Sequence, residues 1–182
     1  AIFWGMSQNL VAVIPALAKV NLGVTSPLMV NAMLALSVIG IMVGAYVSAR
    51  KSINSVKVNN IYTGSATITV CAILVPIVSI LSFIPNSTAL IIVSALILVF
   101  GIGAGMMLVP LNALIQAHSA KDGLGSVLAG KNWIQNMAMI GLLLLTVLLA
   151  KSNVSSVYIL YLNALIAVVG FTVVLKRLKA IL

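Results

Sequence analysis

Acidic, histidine and cysteine side chains are almost missing from this sequence. Its 182 residues include one acidic residue (Asp122), one histidine (His118) and one cysteine (Cys71). Acid–base catalysis by paired carboxylates and metal binding by a cluster of ligands are therefore excluded, and a single cysteine forms no internal disulfide. We expect no enzymatic activity, no metal and no cofactor.

Charge of either sign is also scarce. Charged residues make up 6% of the chain and hydrophobic residues 63%, whereas an average soluble protein has about 25% charged residues. A soluble core of this size cannot bury so much apolar surface, so the composition indicates a membrane protein. The net charge of +9 does not indicate nucleic-acid binding, because the basic residues stand at the ends of apolar runs.

Six apolar runs are each long enough to cross a bilayer, which takes about 20 residues. They cover approximately residues 1–20, 28–49, 60–84, 88–116, 125–150 and 155–175. Because backbone groups in lipid must pair within the chain, these runs predict helices. The sequence thus predicts an all-α polytopic membrane protein with six transmembrane helices. The chain begins with Ala1 rather than Met, and we expect a fragment cut inside or just before a span.

Basic residues are shared unevenly between the two faces that six spans define. One face has Arg50, Lys51, Lys57, Lys121, Lys176, Arg177 and Lys179, and the other has Lys19 and Lys151. Cytoplasmic loops are rich in Lys and Arg, so we predict that both termini of the chain are cytoplasmic. Lys19 and Lys151 are interpreted as anchors at the opposite membrane interface.

Small residues and prolines mark positions where the helices pack or bend. Small residues on one face of the second span are Ser37, Gly40, Gly44 and Ser48, and those in the fourth are Gly101, Gly103 and Gly105. Close backbone approach supplies the packing energy of helices in lipid, so we expect helix contacts at these faces. Prolines inside the spans are Pro15, Pro76 and Pro110. They predict kinks, and for Pro15 and Pro110 both a static kink and a bend lining a moving cavity stay open.

Polar side chains at membrane depth are costly, and they face a cavity or another helix. The strongest group lies in the fifth span from Lys131 to Asn136, where four polar residues cover about 140° of one helix face. An almost wholly apolar stretch follows, which suits an amphiphile with an anionic head. Alternatively, Lys131 extends to the cytoplasmic edge and the amides bond neighbouring helices. The predicted substrate-binding residues are Lys131, Asn132, Gln135, Asn136, Gln8, Asn9, Asn112 and Gln116, whereas Asn31 and Asn163 are interpreted as structural.

Several short motifs resemble a known family of transporters. The segment "GAYVSARK" at 44–51 resembles a degenerate loop motif of the major facilitator superfamily, with Ser48 in place of the usual Asp. In the order of the chain, "FWG" at 3–5, "VNAM" at 30–33, "VPLNALIQ" at 109–116 and "VLAGKNWIQN" at 127–136 resemble the second half of the bacterial lysophospholipid transporter family. The last two pieces are the most specific, and the resemblance covers nearly the whole chain.

The resemblance implies that residues 1–182 are the C-terminal six-helix half of a major facilitator fold, without its N-terminal half. It implies a flippase that moves lysophospholipids, chiefly lysophosphatidylethanolamine, inward across the bacterial inner membrane by alternating access. A partner or fused acyltransferase then re-acylates them. Some relatives have an Arg at the position of Val11 and an acidic residue in the fifth span, so Lys131 is expected to replace a lost cation. Residues on the family's recurrent positions are Asn112, Gln116, Asn132, Gln135 and Asn136.

Two other functions stay open at this point. The spans alone also fit a major facilitator transporter for a drug or a small metabolite. A membrane module that transports nothing and is fused to an acyltransferase is the second alternative. Proton coupling usually needs a carboxylate within a span, and none of the six spans contains one. All of these functions place the chain in a membrane, so we expect membrane lipids as partners.

Overall fold

Six α-helices make up nearly all of the part of the chain that the computed structural model describes, residues 1–51, 58–119 and 123–179. Lys57, Lys121 and Asp122 lie outside these ranges. The helices are α1 (Ile2–Asn21), α2 (Pro27–Lys51), α3 (Val58–Ile80), α4 (Asn86–His118), α5 (Leu124–Lys151) and α6 (Ser156–Lys179). The predicted all-α architecture is therefore confirmed for the described residues.

Each predicted span corresponds to one helix, and the largest differences are at the ends of the third and the sixth. α3 ends at Ile80 rather than at 84, because Pro85 disfavours a helical residue before it and offers no N–H. Turns follow instead, in which Ile84 N–H donates to the Leu81 carbonyl at 3.1 Å. α6 continues past 175 to Lys179, since Leu, Lys and Arg favour helix outside an apolar run as well.

Five helices, α2 to α6, are long and apolar enough to cross a membrane. α1 is not among them. It is the shortest, with 20 residues, and Gln8, Asn9 and Lys19 lower its mean hydropathy. Length and composition thus support five of the six predicted spans, while α1 is a helix of the predicted extent with a polar middle.

The six helices form two three-helix units that pack in the same way. α4 packs mainly between α2 and α3, α1 packs mainly between α5 and α6, and α3 packs against α6. Exchanging α1 with α4, α2 with α5 and α3 with α6 reproduces these principal contacts. The bundle therefore has an internal pseudo-symmetry between its first and its last three helices.

The bundle has two ends, because successive helices run in opposite directions. At one end α2 and α4 finish while α3 and α5 begin, and side chains from these four termini bond one another. We call it the Lys131 end. At the opposite end, the Lys19 end, the turn after α1 lies beside the start of α4, with Asn86 close to Gly23.

The apolar core lies between the two units and is built by α1, α3, α4 and α6. The rings of Phe3 and Phe100 stack there with their centroids 6.1 Å apart. The largest fully buried apolar side chains are Ile14, Leu17, Ile61, Ile97 and Leu160. α5 contributes little to this core, because its one buried residue is Thr146.

Glycines bring α2 and α4 into direct backbone contact. A Cβ atom added to Gly44 would meet the carbonyl oxygen of Ile102, and one added to Gly105 would meet that of Ile41. Equivalent contacts join Gly40 to Leu98 and Gly101 to Ser37, and Gly103 packs against Gly64 of α3. The predicted contact through small residues is confirmed.

Candidate functional site

A lysine and an asparagine from different helices form the central contact of the candidate site. Lys131, near the start of α5, donates from Nζ to Asn112 Oδ1 at 2.6 Å. Asn112 lies two residues after Pro110, in the last two turns of α4. Both side chains are partly buried, whereas Gln116, one turn further along α4, is exposed. Predicted site residues from two separate spans are thus in direct contact.

In this contact the ammonium group of Lys131 bonds a neutral amide rather than a carboxylate. An ammonium group has three N–H donors, and the bond to Asn112 uses one of them. The amide partner is neutral, and no carboxylate side chain occurs among the described residues. Charge-assisted hydrogen bonds to carboxylate or phosphate are about twice as strong as neutral ones. An anionic group therefore competes well with Asn112 for this lysine.

The other polar residues of α5 lie on two sides of the helix. Gln135, one turn after Lys131, is partly buried, and both belong to the stripe that continues through Leu142 toward α1. Asn132 and Asn136 are exposed. The four polar residues of the predicted surface thus form two neighbouring stripes, one directed into the bundle and one directed away from it.

Asn9 is buried and belongs to a separate contact. Its Oδ1 accepts a hydrogen bond from Thr146 Oγ1 at 2.8 Å. Thr146 lies 15 residues after Lys131, about 22 Å further along the helix axis, so Asn9 is not brought to Lys131. Gln8, beside it, is partly exposed. Asn163 of α6 is buried too and donates to a backbone carbonyl of α1 at 3.4 Å, which supports its structural interpretation.

An apolar cavity adjoins the contact between Lys131 and Asn112. It has a volume of about 310 Å³ and lies between α1, α3, α4 and α6. Its larger wall residues are Phe3, Met6, Ile68, Met107, Leu111 and Phe171. Leu111 of its wall precedes Asn112 in the chain, while Asn112 and Lys131 themselves do not line the cavity. The volume is at the lower end of the roughly 300–1,000 Å³ of small-molecule pockets.

A second inter-helix polar contact depends on a proline. Pro110 has no N–H, so the carbonyl of Met106, four residues earlier, loses its helical partner. Ser48 Oγ of α2 donates to that carbonyl oxygen at 3.3 Å and accepts from Asn60 Nδ2 of α3 at 3.1 Å. Sequence analysis singled out Ser48 and Pro110 separately but missed their connection. The signal was the proline itself, which predicts a free carbonyl four residues before it.

The fold and these contacts together define a class of protein. Five apolar helices of membrane-spanning length, packed through glycines and joined by buried amide, hydroxyl and lysine side chains, are typical of a multi-pass α-helical membrane protein.

Comparison with known proteins narrows this class. The chain is 33% identical over 143 residues to the lysophospholipid transporter LplT of Salmonella paratyphi B (strain ATCC BAA-1250 / SPB7), a match that covers 76% of this chain and 32% of the relative. The same values hold for LplT of Salmonella newport (strain SL254) and of Salmonella heidelberg (strain SL476). The chain therefore spans about a third of the length of the curated relatives it matches. No family model matches the sequence, and no solved structure matches it.

Proposed function

We propose that the chain is the C-terminal six-helix half of a lysophospholipid transporter of the major facilitator type. In this proposal the complete protein moves lysophosphatidylethanolamine-type lipids inward across the bacterial inner membrane by alternating access. The observation that carries the proposal is the 33% identity to proteins named lysophospholipid transporters. The five long apolar helices support transport across a membrane rather than a soluble role.

The packing of the helices supports the assignment to one half of a major facilitator fold. Each half of such a transporter consists of two three-helix repeats with inverted topology. The exchange of α1–α3 with α4–α6 leaves the principal helix contacts of this bundle unchanged, which is the pattern that such repeats produce. The missing half would then cover the exposed polar stripe of α5.

The geometry at the Lys131 end supports an amphiphilic substrate. A lysophospholipid has one phosphate-bearing head and one acyl chain. Lys131 offers a positive charge that has no carboxylate partner among the described residues, and the apolar cavity lined by Leu111 offers about 310 Å³ for part of a chain. On binding, the headgroup phosphate replaces Asn112 as an acceptor for Lys131, and the acyl chain enters the cavity. Release of Asn112 then loosens the contact between α4 and α5.

The basic residues support an orientation of the bundle in the membrane. Arg50 and Lys176 are exposed at the Lys131 end, and cytoplasmic loops are rich in such residues. The proposal therefore places the Lys131 end at the cytoplasm and the Lys19 end at the opposite face. Lipid that arrives at Lys131 is on the side where an acyltransferase partner can act on it.

An uptake assay with the complete protein tests this function. Spheroplasts without their own lysophospholipid uptake receive labelled lysophosphatidylethanolamine, and its conversion to diacyl lipid is followed. We expect uptake that depends on the protein. Lys131→Gln should lower it about tenfold, since a charged hydrogen bond contributes roughly 1.5–3 kcal/mol. Lys151→Gln, the same change on an exposed lysine at the other end of α5, should leave it unchanged.

Each half of the proposal has its own contradicting result. Absence of uptake by wild-type protein that is shown to be inserted rejects the lysophospholipid substrate. Wild-type uptake by the Lys131→Gln variant rejects the role of Lys131 while the transport function stands.

A further inference from the structure

A second cavity lies at the Lys19 end, between the last turns of α1 and the first turns of α2. Its volume is about 270 Å³. Three polar side chains line it, those of Lys19, Thr25 and Asn31, and two prolines and two valines complete its walls. We call it the Lys19 cleft. Sequence analysis interpreted Lys19 as an anchor and Asn31 as structural, so the cleft was not predicted.

The three polar side chains supply donors for an anion. A lysine has three N–H donors, an asparagine amide two, and a threonine hydroxyl one. All three residues line the cleft and are exposed at the surface of the bundle. Since no carboxylate side chain occurs in the described ranges, the charge of Lys19 is not neutralised by one. A group with several acceptor oxygens and a negative charge, such as a phosphate, matches this set.

The turn between α1 and α2 gives the cleft a fixed shape. Gly23 adopts a left-handed conformation with φ +66°, which favours glycine after a helix end. The N–H of Val24 then donates back to the carbonyl oxygen of Ala18 at 2.9 Å. Leu22 and Val24 are buried. The turn is therefore tied to the last turns of α1, between Lys19 and Thr25 in the chain.

The size of the cleft decides how much of a lipid it holds. Pockets for whole small molecules measure about 300–1,000 Å³, and this cleft is smaller and open. It suits a headgroup, while the acyl chain stays in the surrounding bilayer. The valines and prolines beside the polar residues fit the glycerol carbons next to the phosphate.

We propose that the Lys19 cleft binds the phosphate of a phospholipid headgroup on the membrane face opposite Lys131. This inference rests on the proposed function, in which the lipid passes from one face to the other. The bundle then has one headgroup-binding lysine at each end, and the cleft is the site where the lipid is first held. The motif "VNAM" at 30–33 contributes Val30 and Asn31 to the cleft. It has no part in the site at Lys131.

Protection of lysines from acetylation tests the cleft in the native complete protein. The protein in maltoside micelles, which contain no phosphate, reacts with an acetylating reagent in the presence or absence of lysophosphatidylglycerol. This lipid is chosen because its headgroup has no amine to consume the reagent. Mass spectrometry gives the acetylation rates of Lys19 and of Lys151, which is exposed at the same end and is the internal control. With the lipid at about ten times its dissociation constant, we expect acetylation of Lys19 to slow about tenfold, because protection follows the occupancy of the cleft, and acetylation of Lys151 to stay unchanged.

Three further arms identify the ligand chemistry. Monoacylglycerol, which has the chain but no phosphate, should not protect Lys19. Inorganic phosphate should protect it only at far higher concentrations than the lipid, since it lacks the chain that places a headgroup at the membrane surface. The Asn31→Ala variant should require several times more lipid for the same protection.

The outcomes separate the cleft from the transport function. Equal protection of Lys19 and Lys151, or protection by monoacylglycerol, overturns the cleft. Protection by inorganic phosphate at the same concentration as the lipid also overturns it, in favour of a site for free phosphate. Protection of Lys19 in a protein that shows no lysophospholipid uptake supports the cleft and rejects the transport function. Uptake without protection supports transport and rejects the cleft.

Discussion

The α2–α4 pair and the α1–α5 pair have equivalent places in the two units of the bundle, but their helices pack differently. In one pair, α2 and α4 meet through glycines, backbone against backbone. In the other, α5 and α1 meet through side chains, where Leu142 lies over Gly5 and Thr146 bonds Asn9. Glycines 125, 130 and 141 of α5 are exposed at the bundle surface and do not take part in this contact. One pair is therefore closely fitted and the other is not.

The difference bears on which helix is able to move. Backbone contacts through glycine leave no freedom for sliding, whereas contacts through flexible side chains permit small shear displacements. α5 is the loosely fitted helix, and it carries Lys131. We therefore expect α5 to shift against α1 during a transport cycle, while α2 and α4 stay together.

The largest expected effect comes from filling the glycine contact. Gly44→Leu forces the new side chain against the Ile102 carbonyl, which cannot yield without moving α4. Overpacking of this kind costs about 3 kcal/mol or more, so the complete protein in detergent should melt at a much lower temperature. Gly141→Leu makes the same change at an exposed position of α5 and is the control, which should shift stability by no more than about 0.5 kcal/mol. Equal melting temperatures for the two variants would contradict the close backbone contact at Gly44.

A smaller effect is expected from Ser48→Ala. The substitution leaves both the Met106 carbonyl and the Asn60 amide without a partner in the closely fitted unit. Inter-helix hydrogen bonds in membranes contribute about 0.6 kcal/mol on average and up to about 1.7, and two are lost here, so we expect a loss of about 1–2 kcal/mol. Thermal unfolding measures it, and Ser37→Ala, which removes a hydroxyl bonded only to Leu34 of its own helix, is the control. Identical loss for both substitutions means that the inter-helix bonds of Ser48 are not what matters.

The smallest effect is expected from Thr146→Val, which keeps the shape of the side chain and removes the hydroxyl. It breaks the one bond from Thr146 to Asn9 in the loosely fitted pair. Stability should fall by about 0.6 kcal/mol. If α5 moves as proposed, the rate of lysophosphatidylethanolamine uptake should change by a larger factor than a free-energy change of about 0.6 kcal/mol produces. If Thr146→Val melts well below Ser48→Ala, the hydrogen bond of the α1–α5 pair contributes more to stability than those of Ser48, which contradicts the comparison.

Hydropathy and residue spacing predicted the six helices and the small-residue faces of α2 and α4, because both depend on local sequence, but they did not predict that these two faces meet. The same reasoning singled out Lys131 and Asn112 but not their hydrogen bond, since that bond depends on how α4 and α5 cross. Burial of Asn9 was not predictable either, because one helical turn does not reveal which neighbour it faces. The two cavities follow from the shapes of several helices together, and no pattern in a single span encodes them.

The proline in α4 also has a consequence for how the helices align during assembly. A regular helix presents the same row of bonded carbonyls at every turn, so hydrogen bonding alone does not distinguish one turn from the next for a neighbouring helix. Pro110 makes one carbonyl, that of Met106, different from all those around it, and Ser48 is the hydroxyl that reaches it. A slip of α2 by one turn would place Ser48 against a carbonyl that is already bonded. The proline thus fixes the position of α2 along the axis of α4.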